Sequence, residues 1–143
     1  MKVNTKHFGE IEVEEDRIIV FEEGLPGFPD DKNFILLENE EPFCWLQSTD
    51  DGDNAFILVD AFAVLPDYSP QVDRDEFAAI GEYNPDEFLI YNICVLPEDI
   101  NEMSVNLLAP VVINTASKKG RQIIAKNEDY SVRHYMLKRR EER

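Results

Sequence analysis

Apolar and polar residues alternate in short runs along much of the chain, and this pattern predicts strands joined by turns. In the stretch GEIEVEE, Ile11 and Val13 alternate with Glu10, Glu12 and Glu14. A period of two places the apolar side chains on one face of a strand and the acids on the other. The apolar run RIIVF follows after a short acidic turn. We therefore expect these two runs to pair as a hairpin.

Similar runs predict further strands at 34–37, 43–48, 55–59, 88–96, 105–114 and 121–125. The run 88–96 is apolar on both faces apart from Asn92, which is typical of a central buried strand. Pro110 has no backbone N–H, so it is expected at a bulge or an edge of its strand. The loop 49–54 is rich in Asp, Asn and Gly, residues that favour a hairpin turn.

One short helix is predicted after Asp73, which is a candidate N-cap. Glu76 stands at the third helical position of a capping box, and Val72 and Phe77 have the spacing of a hydrophobic staple. Gly81 supplies a stop signal. Strands dominate the rest, so the sequence predicts an all-β, antiparallel β-barrel-like fold with short helical inserts, in a single domain over residues 1–143.

Charge limits the kind of partner that the chain can take. The sequence has 30 acidic and 14 Lys or Arg residues, a formal net charge of −16. Residues 117–143 contribute +5, from 9 basic and 4 acidic residues, and residues 1–116 contribute −21. A body this negative repels nucleic-acid phosphates and attracts basic proteins. The N-terminus carries early acids and no apolar run is long enough to span a membrane, so a cytoplasmic protein without membrane contact is expected.

The stretch FEEGLPGFPDD raises the question of a phosphate-binding loop. Its two glycines are three residues apart, no Lys, Ser or Thr follows them, and acids flank both sides, so it matches no phosphate-binding motif. Pro26 and Gly27 fit the two central positions of a type II turn. We predict a tight turn that carries acids and two exposed apolar side chains, Leu25 and Phe28.

Candidate metal and catalytic residues do not form a recognised motif. The loop DDGDN has the wrong register for a calcium-binding loop of the EF-hand type. His7 and His134 have no metal-ligand spacing, and Cys44 and Cys94 lie in apolar runs, as buried small hydrophobic residues do. The sequence thus predicts no enzyme activity, no cofactor and no metal.

Several motifs in order resemble the bacterial flagellar assembly factor FliW family. They are GLPGF at 24–28, PFCWLQS at 42–48, Ala55-Phe56 with Asp60, VNLLAPVVIN at 105–114, and Tyr130 with Arg133-His134. The resemblance implies a β-barrel-like fold and a non-enzymatic regulator that binds the translational repressor CsrA and, alternatively, flagellin. Such a regulator would couple flagellin translation to flagellum assembly without binding nucleic acid itself.

The sequence offers several candidate contact residues for these partners. Candidates are acids on one strand face and in the hairpin loop, aromatic and amide residues on strands, and the turn: Glu10, Glu12, Glu14, Phe28, Trp45, Gln47, Asp50, Asp51, Asp53, Asn106 and Asn114. For each, a structural or solvated role is the alternative. The alternative functions are a β-barrel that binds a small ligand in its interior and an RNA-binding barrel that uses the basic C-terminal tail.

Overall fold

The computed structural model describes residues 1–38, 40–81 and 84–136. In these residues the strands are β1 (Lys2–Thr5), β2 (Gly9–Glu12), β3 (Ile19–Val20), β4 (Asn33–Glu38), β5 (Phe43–Ser48), β6 (Ala55–Val59), β7 (Phe88–Val95), β8 (Ser104–Val105), β9 (Val111–Asn114), β10 (Lys119–Gln122) and β11 (His134–Tyr135). The α-helices are α1 (Ala61–Val64) and α2 (Arg74–Ala78), and 3-10 turns lie at Glu15–Arg17, Pro85–Glu87 and Ile100–Glu102. No helix of the described chain is long and apolar enough to cross a membrane.

Seven of the described strands close into a barrel, in the order β7-β6-β5-β4-β3-β10-β9 and back to β7. Neighbouring strands are antiparallel except β3 and β10, which are parallel with Lys119 opposite Val20. Beyond the ring, β8 pairs with the end of β7, and β11 pairs with β8. The predicted all-β, barrel-like fold with short helical inserts is confirmed, with one parallel pair added.

The barrel interior is filled by side chains that alternate along its strands, as small barrels require. The buried members of this core are Ile19, Phe21, Leu25, Phe34, Leu46, Leu58, Val111 and Ile113. Packing is so close that a Cβ atom added at Gly120 would lie 2.4 Å from the Phe21 ring. The Phe21 ring therefore occupies the barrel interior directly against β10.

Three smaller apolar clusters cover the outside of the barrel. The β1–β2 hairpin packs Val3 and Val13 on Ile35 of β4. Tyr68, which follows α1, lies in a cluster on the outer side of β6, β7 and β8, and α2 covers β9 and β10 around Ile80. Strands β4, β6, β7 and β9 therefore carry apolar side chains on both faces for part of their length.

The predicted hairpin partners near the N-terminus are wrong. β2 pairs with β1, which the sequence pattern missed, and Val3 lies opposite Ile11. The run RIIVF contributes the two-residue β3, which pairs instead with β4. The reason is that Ile11 and Val13 cover the outward side chains of β4, a tertiary contact that local alternation does not encode.

The predicted strand 105–114 is two strands, β8 and β9, that pair with opposite ends of β7. The chain turns between them, because the Asn106 side-chain oxygen accepts hydrogen bonds from the backbone N–H groups of Leu108 and Ala109 (3.1 and 3.0 Å). Pro110 directly precedes β9. The predicted burial of 88–96 on both faces is also wrong at its end, where Val95 is 58% exposed.

The predicted helix exists as α2, and Asp73 is its N-cap residue. The capping box is absent, since the Asp73 side chain makes no cap hydrogen bond and accepts instead from the Lys126 ammonium (2.6 Å). Glu76 pairs with Arg121 of β10 (3.2 Å). The last predicted strand, 121–125, corresponds to β10, which begins two residues earlier, at Lys119, and ends three residues earlier, at Gln122.

Candidate protein-binding surface

The GLPGF segment is a tight turn at one end of the barrel. The Phe28 N–H donates to the Leu25 carbonyl (2.8 Å), and Gly27 has a φ of 84°, as the third position of a type II turn requires. Leu25 is buried in the core, so its predicted exposure is wrong. Phe28 is 42% exposed and meets the Phe56 ring edge to face at 5.8 Å between centroids. The turn thus presents one aromatic side chain to solvent.

The acidic hairpin loop, residues 49–54, is held to the start of β4 by one carboxylate. Asp50 accepts hydrogen bonds from the backbone N–H groups of Lys32 and Asn33 (2.9 and 3.0 Å). Partial burial works to raise the pKa of Asp50, but these hydrogen bonds outweigh it and hold that pKa below its usual value. Asp50 therefore has a structural role, because it holds the loop to β4, and it also contributes a negative charge to the surface.

Gly52 fixes the other side of this loop. Its carbonyl accepts from the Lys6 N–H (3.0 Å), and an added Cβ would lie 1.7 Å from the Asn4 carbonyl oxygen. Only glycine allows such close contact with the end of β1. Gly52 is therefore explained by the close packing of the loop against the β1–β2 hairpin.

The turn and the loop lie side by side. The Asn54 side-chain amide donates to the Asp31 carboxylate (2.8 Å) and so joins the two segments. This contact brings together five acids that the sequence places twenty residues apart. We name them the acidic corner: Asp30, Asp31, Asp50, Asp51 and Asp53.

On its other side, the same turn borders a shallow groove of about 470 Å³. The groove is lined by the turn, by the segment that follows β8, and by the chain around the end of β10: Glu23, Gly24, Leu25, Pro26, Gly27, Pro29, Asn106, Ala109, Gln122 and Ile124. Ile124 is 73% exposed. The structure therefore brings the predicted contact residue Asn106 to the turn that carries Phe28.

Asn106 is held by a buried hydrogen-bond network. The Asn92 side-chain amide donates to the Asn106 carbonyl (2.7 Å) and to the Tyr68 hydroxyl (3.0 Å). The Tyr68 hydroxyl donates to the Leu107 carbonyl (2.6 Å), and burial raises the pKa of Tyr68 to about 12. The wall of the groove is thus fixed by polar groups beneath it.

Two of the amides predicted as contacts lie inside the molecule. Gln47 is fully buried, and its amide donates to the carbonyls of Ser48, Gly52 and Asn54 (3.0 to 3.2 Å). Asn114 is 1% exposed and accepts from the backbone N–H of Ala116 (2.9 Å). Neither side chain is available at the surface, which favours the structural role that the sequence left open.

Trp45 is half-buried on the outside of β5. Its ring lies 5.0 Å from His7 and 5.4 Å from Phe8, between centroids, beside the loop that joins β1 to β2. This placement corresponds to packing of the hairpin on the barrel. A contact between Trp45 and a partner stays a prediction.

The glutamates of β2 form a separate acidic surface. Glu10 and Glu12 lie opposite Asn4 and Lys2 in the hairpin. Their carboxylates pair with amino groups at 4.0 and 3.5 Å, and both are exposed. Glu14 is also exposed and precedes the 3-10 turn. Part of their charge is therefore compensated, in contrast to Asp51 and Asp53.

Both cysteines carry free thiols, and Cys94 is buried while Cys44 is half-buried. Burial raises the pKa of Cys44 and of Cys94 to about 11, so both are protonated at neutral pH. The described residues also contain no group of three or more His, Cys, Asp or Glu side chains that could hold a metal ion. The interpretation of the cysteines as small buried hydrophobic residues agrees with this.

Gln122 and Ile124 line the groove but are not among the contact residues predicted from the sequence. Ile124 follows Ile123 inside an apolar run, and only the barrel shows that Ile123 is buried and Ile124 exposed. The alternation of residues in this run predicts two faces of a strand, but it does not predict that one face borders the GLPGF turn. The basic tail from Lys138 lies outside the described residues.

Comparison with known proteins agrees with this architecture. A model of the family described as FliW protein matches residues 2–136. The flagellar assembly factor FliW of Alkaliphilus metalliredigens is 41% identical over 140 residues, which cover 96% of this chain and 86% of that protein. Its counterpart from Caldanaerobacter subterraneus is 43% identical over 142 residues, 96% of this chain and 93% of that protein.

A solved structure shows the same fold. The crystal structure of the flagellar assembly factor FliW superposes with a TM-score of 0.89 at 33% identity, over 96% of this chain and 97% of that one. The chain belongs to the FliW family of flagellar assembly factors.

Proposed function

We propose that this flagellar assembly factor is a cytoplasmic, non-enzymatic regulator that binds a CsrA-type translational repressor and, in exchange, flagellin. Binding of the repressor relieves its block on flagellin messenger RNA, and newly made flagellin releases the repressor again. The observation that supports this proposal is the acidic corner, beside an exposed aromatic side chain, on a chain of net charge −16.

Electrostatics explain how such a surface acts on an RNA-binding protein. A repressor that binds RNA must present a basic surface. The acidic corner attracts that surface over a distance of about 8–10 Å at physiological salt. Once bound, it adds a negative potential that repels RNA phosphates, so the regulator displaces RNA without binding it.

Some acids of the acidic corner make contacts that join its segments, whereas others do not, and only the second group can be mutated to test the role of charge alone. Asp50 and Asp31 accept hydrogen bonds that hold the loop and the turn in place, so their replacement disturbs these contacts as well as the charge. Asp30, Asp51 and Asp53 are exposed and form no ion pair among the described residues. Replacement of these three by Asn removes three charges and leaves the joining contacts in place.

The test measures displacement of fluorescent RNA from the repressor across a range of salt. We expect the triple variant to bind the repressor with an association rate roughly tenfold lower at low salt, a difference that shrinks as salt rises. Undiminished RNA displacement by the variant would disprove the electrostatic mechanism.

A matched control removes three exposed acids elsewhere: Asp67→Asn, Glu98→Gln and Glu128→Gln. It has the same net charge as the triple variant and leaves the corner intact. We expect it to keep most of the wild-type rate. Equal loss in both variants would show that overall charge, not the corner, governs binding.

Exchange of partners is tested by adding flagellin to the purified complex with the repressor. The proposal predicts release of the repressor and recovery of RNA binding. If the chain binds neither the repressor nor flagellin, the proposed function is wrong.

A further inference from the structure

The end of β10 and the chain that continues from it, which lies alongside the segment 108–110, have backbone groups beside the groove without a backbone partner among the described residues. Ile123 and Ala125 donate their N–H groups to the carbonyls of Pro110 and Leu108 (2.9 and 2.7 Å). Alternate residues of a strand direct their backbone groups to opposite sides. The N–H and C=O groups of Gln122 and Ile124 therefore point toward the groove, where they meet no backbone partner among the described residues.

This open edge is short and bounded at both ends. At one end β10 is covered by β3, through the pair of Lys119 and Val20. At the other end, the Lys126 N–H donates to the Gln71 carbonyl (2.8 Å). Between these two contacts, and among the described residues, the edge is open at Gln122 and Ile124, which suits an added strand of about three to five residues.

The lining of the groove indicates the character of such a strand. Pro26, Pro29, Ala109 and the exposed Ile124 make the groove mainly apolar. The charge of Glu23 is compensated by Arg121 at 3.1 Å. A segment lying along the edge meets apolar surface, and charged side chains within it would be desolvated without a partner.

The charge around the groove indicates what flanks that strand. The wall formed by Pro29 continues directly into Asp30 and Asp31, and from there into the rest of the acidic corner. A chain that leaves the groove on this side passes over uncompensated carboxylates. Lysine or arginine at that point is favoured by charge complementarity.

We propose that the groove binds a short extended segment of a protein partner, which adds as a strand to the edge Gln122–Ile124. The segment is apolar within the groove and basic where it passes over the acidic corner. Main-chain hydrogen bonds supply affinity in such strand addition, and the side-chain pockets supply specificity. This inference rests on the proposed function for the nature of the partner, and it assigns the mode of recognition.

Amide exchange in the wild-type protein tests strand addition directly. The uniformly ¹⁵N-labelled chain is saturated with purified repressor and, separately, with purified flagellin, and hydrogen exchange is followed by NMR. We expect the Ile124 amide to exchange rapidly in the free protein and at least tenfold more slowly in one of the complexes. The already bonded Ile123 amide serves as the internal reference.

A pair of variants separates the backbone contact from the side chain. Ile124→Ala shortens the side chain and keeps the N–H, whereas Ile124→Pro also removes the N–H, and proline is tolerated at an open edge. We expect Ile124→Pro to weaken partner binding about tenfold more than Ile124→Ala. Unchanged NMR spectra away from the groove verify that each variant folds.

The outcomes distinguish the two proposals. If a partner binds but Ile124 exchange is unchanged and both variants bind alike, strand addition is wrong and the proposed function stands. If neither protein binds, the proposed function fails and the strand-addition proposal fails with it.

Discussion

Loss of the Tyr68 hydroxyl tests whether the buried network supports the groove. Tyr68 is 3% exposed, and its hydroxyl donates to the Leu107 carbonyl (2.6 Å) and accepts from the Asn92 amide (3.0 Å). In Tyr68→Phe, both of these buried groups lose a partner. Each unsatisfied buried group costs about 1–3 kcal/mol, so for the two groups together we expect the free energy of unfolding to fall by about 2–6 kcal/mol.

Tyr130→Phe is the matched control, because its ring lies 5.0 Å from that of Tyr68. Its hydroxyl accepts from the Ser69 N–H (2.7 Å) in an exposed position, where water replaces the lost bond. We expect a cost of about 1 kcal/mol or less. The free energy of unfolding of both variants is measured by urea unfolding, and an m-value equal to that of wild type shows that the midpoints can be compared directly. Equal costs in the two variants would refute the assignment of the Tyr68 network as buried and stabilising.

Three further changes probe the core, the loop and the thiols. Gly120→Ala places a methyl group against the fully buried Phe21 ring, and we expect a loss of about 1–3 kcal/mol in urea unfolding; an unchanged midpoint would contradict the packing. The pKa of Asp50 is lowered in the folded state, so its stabilisation is complete above the unfolded pKa of about 3.9 and is lost as pH falls through the lower folded pKa. Wild type should therefore lose more stability than Asp50→Asn as the pH falls below about 4, and parallel pH profiles would show that hydrogen bonds do not hold the carboxylate in its charged form. Because burial raises the pKa of Cys44 and Cys94 to about 11, both thiols should react with a disulfide reagent at pH 7 far more slowly than in the urea-unfolded chain, and equal rates would contradict their protection.

The barrel itself could be predicted because alternation reports burial on a sheet face. Residues 43–48 and 55–59 were assigned correctly as β5 and β6, with a turn between them. The type II turn at Pro26 and Gly27 followed equally from the restricted φ of proline and the freedom of glycine. These signals depend only on neighbouring residues, so they can be read from a single sequence.

Pairings and breaks depended on contacts that are distant in sequence. β1 was missed because it is short and its partner is β2, while the hairpin is stabilised by packing on Ile35. The break at Asn106 depends on a side chain that bonds its own backbone, and Asn in an apolar run suits a buried strand equally well.

The candidate surface was predicted in part for the same reason. The acids at 50–53 and the GLPGF turn were each recognised, but the Asn54–Asp31 contact that unites them required the fold. The exposure of each side chain also depends on the fold, since Gln47 is buried and Ile124 is exposed.

Chemical-shift mapping tests the central claim, that the acidic corner and the groove bind the protein partner. The ¹⁵N-labelled chain is titrated with purified repressor, then with flagellin, and backbone amide shifts are followed by NMR. The account predicts that the largest changes cluster at residues 24–31, 50–54 and 122–124. Changes concentrated instead at the exposed apolar residues Val95, Leu96 and Ile100, with the corner and the groove unaffected, would contradict it.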